Sequence, residues 1–242
     1  RPVLPDEILF YLSRIRRKKG NLLNNDYFCY FSDIWALERV PESHTSAGKY
    51  TKALILLSIS QLIMYTTLMI ITYFGKEFFK IQLGDTIIAF NPISKDSKLK
   101  TSRFGADIAL VTTNHPDYNG VENLSFGEKE PFVARGPGEY ETKNIFIKGI
   151  SSGPKGENVV LNTIYILSVD KMNICFLGAL SSKIFSPEAR EEIDSVDILF
   201  VPVNGGSLTP SDSYAIAVSL EPKIIIPMDY DENTLKKFLK EG

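Results

Sequence analysis

Cysteine and histidine are in short supply in this chain, with two of each in 242 residues: Cys29, Cys175, His44 and His115. A disulfide framework or a zinc ribbon requires several such residues at recurrent spacing, so both are excluded. An excess of positive charge is also missing. Lys and Arg number 27 against 29 Asp and Glu, a net charge of −2 with a pI near 5.8. No basic field is present to collect nucleic acid, and no nucleic-acid partner is expected. Low-complexity composition is absent too. Hydrophobic residues make up 44% and charged residues 23%, the balance of a folded chain with a sizeable core. No glycine-rich turn follows the first strong strand pattern, which removes a single dinucleotide-binding sheet.

Residues 1–68 read as an N-terminal extension. Ile8 to Lys19 fits one helix, apolar at first and ending in Arg14, Arg16, Arg17, Lys18 and Lys19, where cations suit a helix C-terminus. From Ala53 to Gly75 no residue carries a charge. A membrane helix needs roughly 20 predominantly apolar residues, so the length qualifies. Ser58, Ser60, Gln61, Thr66 and Thr67 weaken the segment. Two readings stay open. Either a domain starts at Met69, with Ile70 to Tyr73 as its first strand, and lies in the cytoplasm, or residues 53–68 tether it to a membrane.

After Met69 short runs rich in Val, Ile, Phe and Tyr recur between Gly, Pro, Asn and Asp. They are MIITYF, FFKIQL, TIIAFNP, ADIALVTT, IFIKGI, NTIYILSV, MNICFLG, VDILFVPV and KIIIPMDY. These read as strands. The first four lie close together and predict an antiparallel meander. Helices are predicted over Pro187 to Asp194 and Ser211 to Leu220. Ser186-Pro187-Glu188 and Thr209-Pro210-Ser211-Asp212 supply their N-terminal signals. The order fits an α/β protein of α+β type, an αββα sandwich of two mostly antiparallel or mixed sheets flanked by helices.

Five landmarks, in order, carry a resemblance. They are Ile70 to Gly75, Ala89-Phe90-Asn91-Pro92, Ala106 to Asn119, Gly136-Pro137-Gly138-Glu139-Tyr140-Glu141, and Ile226-Pro227-Met228-Asp229-Tyr230. Residues 69–242 resemble a metallo-β-lactamase-fold domain of the ascorbate-6-phosphate lactonase-like branch of metal-dependent hydrolases. The resemblance implies a cluster of imidazoles and carboxylates holding one or two divalent ions that activate water. The family motif T-H-x-H-x-D-H-x-G falls on Thr112-Thr113-Asn114-His115-Pro116-Asp117-Tyr118-Asn119-Gly120. His115 and Asp117 match ligand positions, whereas Thr113 and Tyr118 stand at the other two. By the same resemblance Ala179 replaces the bridging carboxylate, Asp229 replaces the last histidine, and Asn91 replaces an Asp that orients metal-bound imidazoles.

Three candidate ligands remain, His115, Asp117 and Asp229, and a catalytic zinc normally has three protein ligands and an open position. No tightly held cofactor is therefore expected. The alternative is one weakly bound divalent ion, Zn, Mn or Mg, the last two drawing on Asp117, Asp229 and Asp231. Lys76 stands where the family carries a histidine after the first glycine. Either its ammonium replaces the missing cation beside Asp117 and Asp229, or it is an exposed loop lysine. Lys76, Asn91, Thr113, Asn114, Tyr118, Ala179, Asn204 and Asp229 are the expected pocket residues, and His115 with Asp117 is a candidate general base with its orienting group. Gly136 to Glu141 reads as a tight structural turn, and Cys175 as a buried, inert thiol. The function expected is a catalytically inactive or altered member that binds a small molecule or protein in the old cleft. The alternative is an active hydrolase of a lactone or phosphoester with a reduced ligand set.

Overall fold

The computed structural model describes residues 8–13, 28–30, 68–153, 161–204 and 208–241. The chain divides into two compact units, residues 1–72 with Ile81–Asp85, and Tyr73–Lys80 with Thr86–Gly242.

In the first unit β1 (Ile8–Ser13) pairs antiparallel with β2 (Phe28–Tyr30), placing Tyr11 opposite Tyr30. The predicted helix over residues 8–19 is thus corrected in its first half. Ile8-Leu9-Phe10-Tyr11 is aromatic and branched, a composition that suits a pleated pair better than a helix. Residues 14–19 and 53–67 lie outside the described residues. Leu68 belongs to β3 (Leu68–Tyr73). No helix among the described residues is long and apolar enough to cross a membrane.

The second unit is a sandwich of two sheets. One contains β5 (Thr86–Phe90), β6 (Ile108–Leu110) and β7 (Phe132–Ala134), all parallel, with Ile88 opposite Ile108 and Ile108 opposite Phe132. The expected antiparallel meander of the first four runs is corrected at its fourth strand, β6, which pairs parallel to β5. A parallel neighbour needs a crossover, and residues 91–107 and 111–131 provide the two returns.

The other sheet has six strands. They are β8 (Gly138–Thr142), β9 (Ile145–Ser151), β10 (Thr163–Val169), β11 (Met172–Phe176), β12 (Ile198–Pro202) and β13 (Ile224–Met228), in the order β13-β12-β11-β10-β9-β8. β8 to β11 form an antiparallel meander, and β11, β12 and β13 run parallel. β12 is buried along its whole length, as a strand covered on both faces must be. The Gly136 to Glu141 segment is corrected from a turn to a turn followed by a strand, with Tyr140 opposite Ile147.

Aromatic rings fill the space between the sheets. Phe90 stacks on Phe176 at 4.6 Å, and Phe79, at the start of β4 (Phe79–Leu83), meets Phe200 edge-on at 4.9 Å. Tyr165 crosses the core, and its hydroxyl donates to the Val111 carbonyl at 3.0 Å.

Three helices contribute Ala189, Ile216, Ala217 and Phe238, and the C-cap of the first adds Ile193, to a cluster with Ile164, Cys175, Leu199 and Val201 of the six-stranded sheet. Both predicted helices are present, α1 (Pro187–Glu192) and α2 (Pro210–Ser219), capped by Ser186 and by a Thr209–Asp212 box. The third, α3 (Glu232–Leu239), is started by an Asp231–Thr234 box. A second cluster joins Phe78, Ala89, Ala109, Ile93 and Leu124, with Phe74 and Phe104 packed against it. Cys175 is fully buried, and burial pushes its thiol up to about 12, so it is inert as expected.

Candidate functional site

The polar residues of interest converge where strands end. Asn91 follows β5, Thr112 lies just past β6, Asp229 follows β13, and Lys76 and Glu77 sit in the Phe74–Phe78 turn. Sites in sheets with parallel strands collect at those carboxyl ends. The turn closes on two main-chain bonds, Phe74 N–H to the Phe78 carbonyl and Phe78 N–H to the Gly75 carbonyl, both 2.9 Å. Lys76, Asn91 and Asp229 all have left-handed backbones, with φ of 55°, 45° and 48°. Three such non-glycine residues at one site mean that its surroundings dictate the local backbone.

Lys76 and Asp229 grip each other twice. The Lys76 ammonium donates to Asp229 Oδ2 at 2.7 Å, and the Asp229 N–H donates to the Lys76 carbonyl at 2.6 Å. The Tyr73 hydroxyl donates to the same carbonyl at 3.0 Å, and the Tyr73 ring stacks on Tyr230. The side chains of Lys76 and Asp229 retain 27% and 11% of their exposure, so the pair is poorly screened by water.

Beneath the pair lies Glu77, a residue that the sequence does not single out. It is fully buried. Asn91 Nδ2 donates to Glu77 Oε2 at 2.9 Å and to Thr112 Oγ1 at 2.9 Å, while Asn91 Oδ1 accepts the Thr112 N–H at 2.9 Å. Both Asn91 N–H donors are thereby used. Glu77 Oε1 has no hydrogen-bond partner among the described residues. Burial first, and Asp229 second, push the Glu77 carboxyl up to about 8, against the opposing pull of Asn91 and Lys76.

Tyr118 lies within electrostatic reach of this group. Its hydroxyl is pushed well above the ordinary tyrosine value, by burial first and then by Glu77, Asp229 and Asp117.

The motif residues point elsewhere. Asp117 Oδ1 accepts from Ser97 Oγ at 2.5 Å. His115 is more than half exposed, and its Nδ1 accepts the Asp117 N–H at 3.2 Å, with Asp117 Oδ2 3.8 Å away. With Nδ1 accepting from the main chain, the Asp117 carboxylate makes no hydrogen bond to the His115 ring among the described residues. Thr113 is buried and its carbonyl accepts the His115 N–H, while Asn114 accepts from Asn119. Ala179 follows Gly178, whose φ is +62° and where a Cβ would stand 2.6 Å from Asn162 Oδ1 and Thr112 Cγ2. Asn204 is exposed, and residues 205–207 lie outside the described residues. Asp231 is committed to capping α3, accepting from Asn233 and Thr234 at 2.8 Å.

Among the described residues no three His, Cys, Asp or Glu side chains gather to hold a metal ion. The donor chemistry explains why. Of the three candidate ligands, His115 Nδ1 accepts the Asp117 N–H, Asp117 Oδ1 accepts from Ser97 of an earlier loop, and Asp229 is neutralised by Lys76. The residues present do not fit a catalytic divalent centre.

A sequence profile of the Beta-lactamase superfamily domain matches residues 70–229, more than half of the chain. The chain belongs to that superfamily. Among solved members, a Thermotoga maritima protein assigned to the Zn-dependent hydrolases of the metallo-beta-lactamase superfamily is 26% identical. The match covers 71% of this chain and 84% of that one, with a TM-score of 0.59. A metal-dependent hydrolase assigned in Parabacteroides distasonis shares the fold at 18% identity, covering 72% and 88%, with a TM-score of 0.57. No curated protein matches the chain. The superfamily's sandwich is the architecture that the sequence landmarks imply, and the five landmarks fall on its strand ends.

Proposed function

We propose that this superfamily member is not a working metallohydrolase and that it binds a small molecule or a protein in the cleft formed at its strand ends. One observation carries the reading: the Lys76 ammonium occupies the counter-charge role at Asp229, 2.7 Å from its carboxylate. A divalent ion at Asp229 would have to compete with this tethered cation for the carboxylate's charge. The substitutions implied by the resemblance, Thr113, Tyr118, Ala179 and Asp229 at ligand positions and Asn91 behind them, agree with a site that has lost its metal. On this reading Lys76 and Tyr118 are polar groups available to a ligand there, since Tyr118 senses the charges of Glu77 and Asp229. The second reading, a hydrolase of a lactone or phosphoester with a reduced ligand set, is supported by the hydrolase assignments of the solved relatives.

Turnover separates the two. The full chain should hydrolyse lactone and phosphoester substrates no faster than a heat-inactivated control, with or without added zinc, manganese or magnesium. Chelator-sensitive turnover that follows the protein through successive purification steps would establish the second reading.

A further inference from the structure

The most unusual group in the molecule is the Glu77 carboxyl. It is wholly buried, its Oε2 is served by a single donor, Asn91 Nδ2, and its Oε1 meets no partner among the described residues. A carboxylate spreads its charge over both oxygens, and one amide N–H is poor solvation for it in a dry site. A neutral carboxylic acid needs far less.

The charged and titratable groups facing it come from every surrounding element. Lys76 lies on its own turn and lowers the proton affinity, but its ammonium is already directed to Asp229. Asp229, beyond β13, raises the affinity. Tyr118, beyond β6, and Tyr73, at the end of β3, both sense the Glu77 charge, and neither brings a cation.

We propose that Glu77 is a proton-binding residue that sets the charge of the cleft. In the neutral protein it is an uncharged acid beneath an intact Lys76–Asp229 pair. When it loses its proton it competes with Asp229 for the one ammonium and leaves the cleft with a net negative charge. The consequence for recognition is directional. An anionic ligand drawn to Lys76 binds the protonated form, and alkaline pH releases it. The reaction is a simple proton exchange with solvent, and it holds whether or not the cleft is catalytic.

The test is a side-chain carboxyl titration of the full chain by carbon-13 NMR, with the Glu77 signal assigned from its loss in E77Q. Glu77 should titrate near pH 8. D229N, which removes the like charge, should lower that midpoint by roughly one pH unit, and K76M, which removes the cation, should raise it. The shift in opposite directions is a response that mere burial would not give. A Glu77 already ionised at acidic pH in the wild-type chain overturns the proposal, and that titration needs no variant beyond the one used for assignment. A midpoint that neither D229N nor K76M moves overturns it equally. The presence or absence of hydrolytic turnover changes neither result.

Discussion

K76M should destabilise the protein by about 2 to 3 kcal/mol at neutral pH, read by denaturant unfolding. Breaking a buried ion pair by removing one partner costs about 3 to 5 kcal/mol, because the remaining charge is left without compensation. The Lys76 side chain keeps about a quarter of its exposure, so water reaches the orphaned Asp229 and the lower figure applies. Asp229 would also face Glu77 with no cation between them. The double variant K76M/D229N should recover most of the loss. An amide at position 229 removes the charge and tolerates the left-handed backbone that Asp229 adopts. A loss in the double variant equal to that of K76M alone would mean that the lysine acts through its aliphatic packing and not through the pair.

N91D should cost more, about 3 to 5 kcal/mol above pH 8, and much less in acid. The Asn91 amide is fully buried and donates to Glu77 Oε2 at 2.9 Å. Replacing it with a carboxyl sets two acids face to face, and in a dry site only one can ionise unless they share a proton. The sign follows from the direction of the shifts. A carboxyl whose proton affinity is raised by folding holds a proton that the unfolded chain has already released. Its stabilisation is complete below the unfolded value and is lost as pH rises through the folded one. Glu77 alone gives the wild-type chain a decline of this kind up to about pH 8. N91D adds a second titrating group and steepens it. Unfolding curves at acidic and alkaline pH check both parts. A variant equally stable at the two would show that the Glu77–Asn91 contact carries no charge coupling.

Much of the second unit is legible in the sequence, because its strands are written as Val-, Ile- and Phe-rich runs between turn residues. Ile198-Leu199-Phe200-Val201 can only be a fully covered strand, and Ser186-Pro187 and Thr209-Pro210 announce helix starts that the side-chain caps confirm. Where local and non-local pairing compete, the local pattern misleads. Gly136-Pro137-Gly138 looks like a turn, and only pairing with the longer β9 makes a strand of Gly138–Thr142. Ile8 to Ser13 has the apolar content of a helix start, and pairing with Phe28–Tyr30 decides otherwise. Parallel pairing of β5 with β6 is invisible for the same reason, since short spacing between strands says nothing about the direction of return.

The site divides in the same way. Lys76, Asn91 and Asp229 are flagged by where they stand in the family pattern, and the structure gathers all three at the strand ends. Glu77 is not flagged. In Phe74-Gly75-Lys76-Glu77-Phe78-Phe79 two adjacent charges interrupt an aromatic run, and nothing local tells which one turns inward. The left-handed backbone at Lys76 settles it, placing the lysine at the cleft and the glutamate under it. His115 and Asp117 illustrate the converse. Their spacing matches a metal motif, yet Ser97 takes Asp117 Oδ1 and the Asp117 N–H takes His115 Nδ1, which leaves this pair with Asp117 Oδ2 and His115 Nε2, fewer donors than a catalytic zinc needs.

The proposed reading makes Lys76 the cation of this cleft, and zinc titration of the purified full chain by calorimetry tests that claim most directly. The expected result is no saturable uptake at the protein concentration used, together with metal analysis showing far less than one equivalent of zinc, iron or manganese in the protein as isolated. A stoichiometric ion that survives dialysis against a weak chelator, or zinc uptake that K76M leaves unchanged, would contradict it.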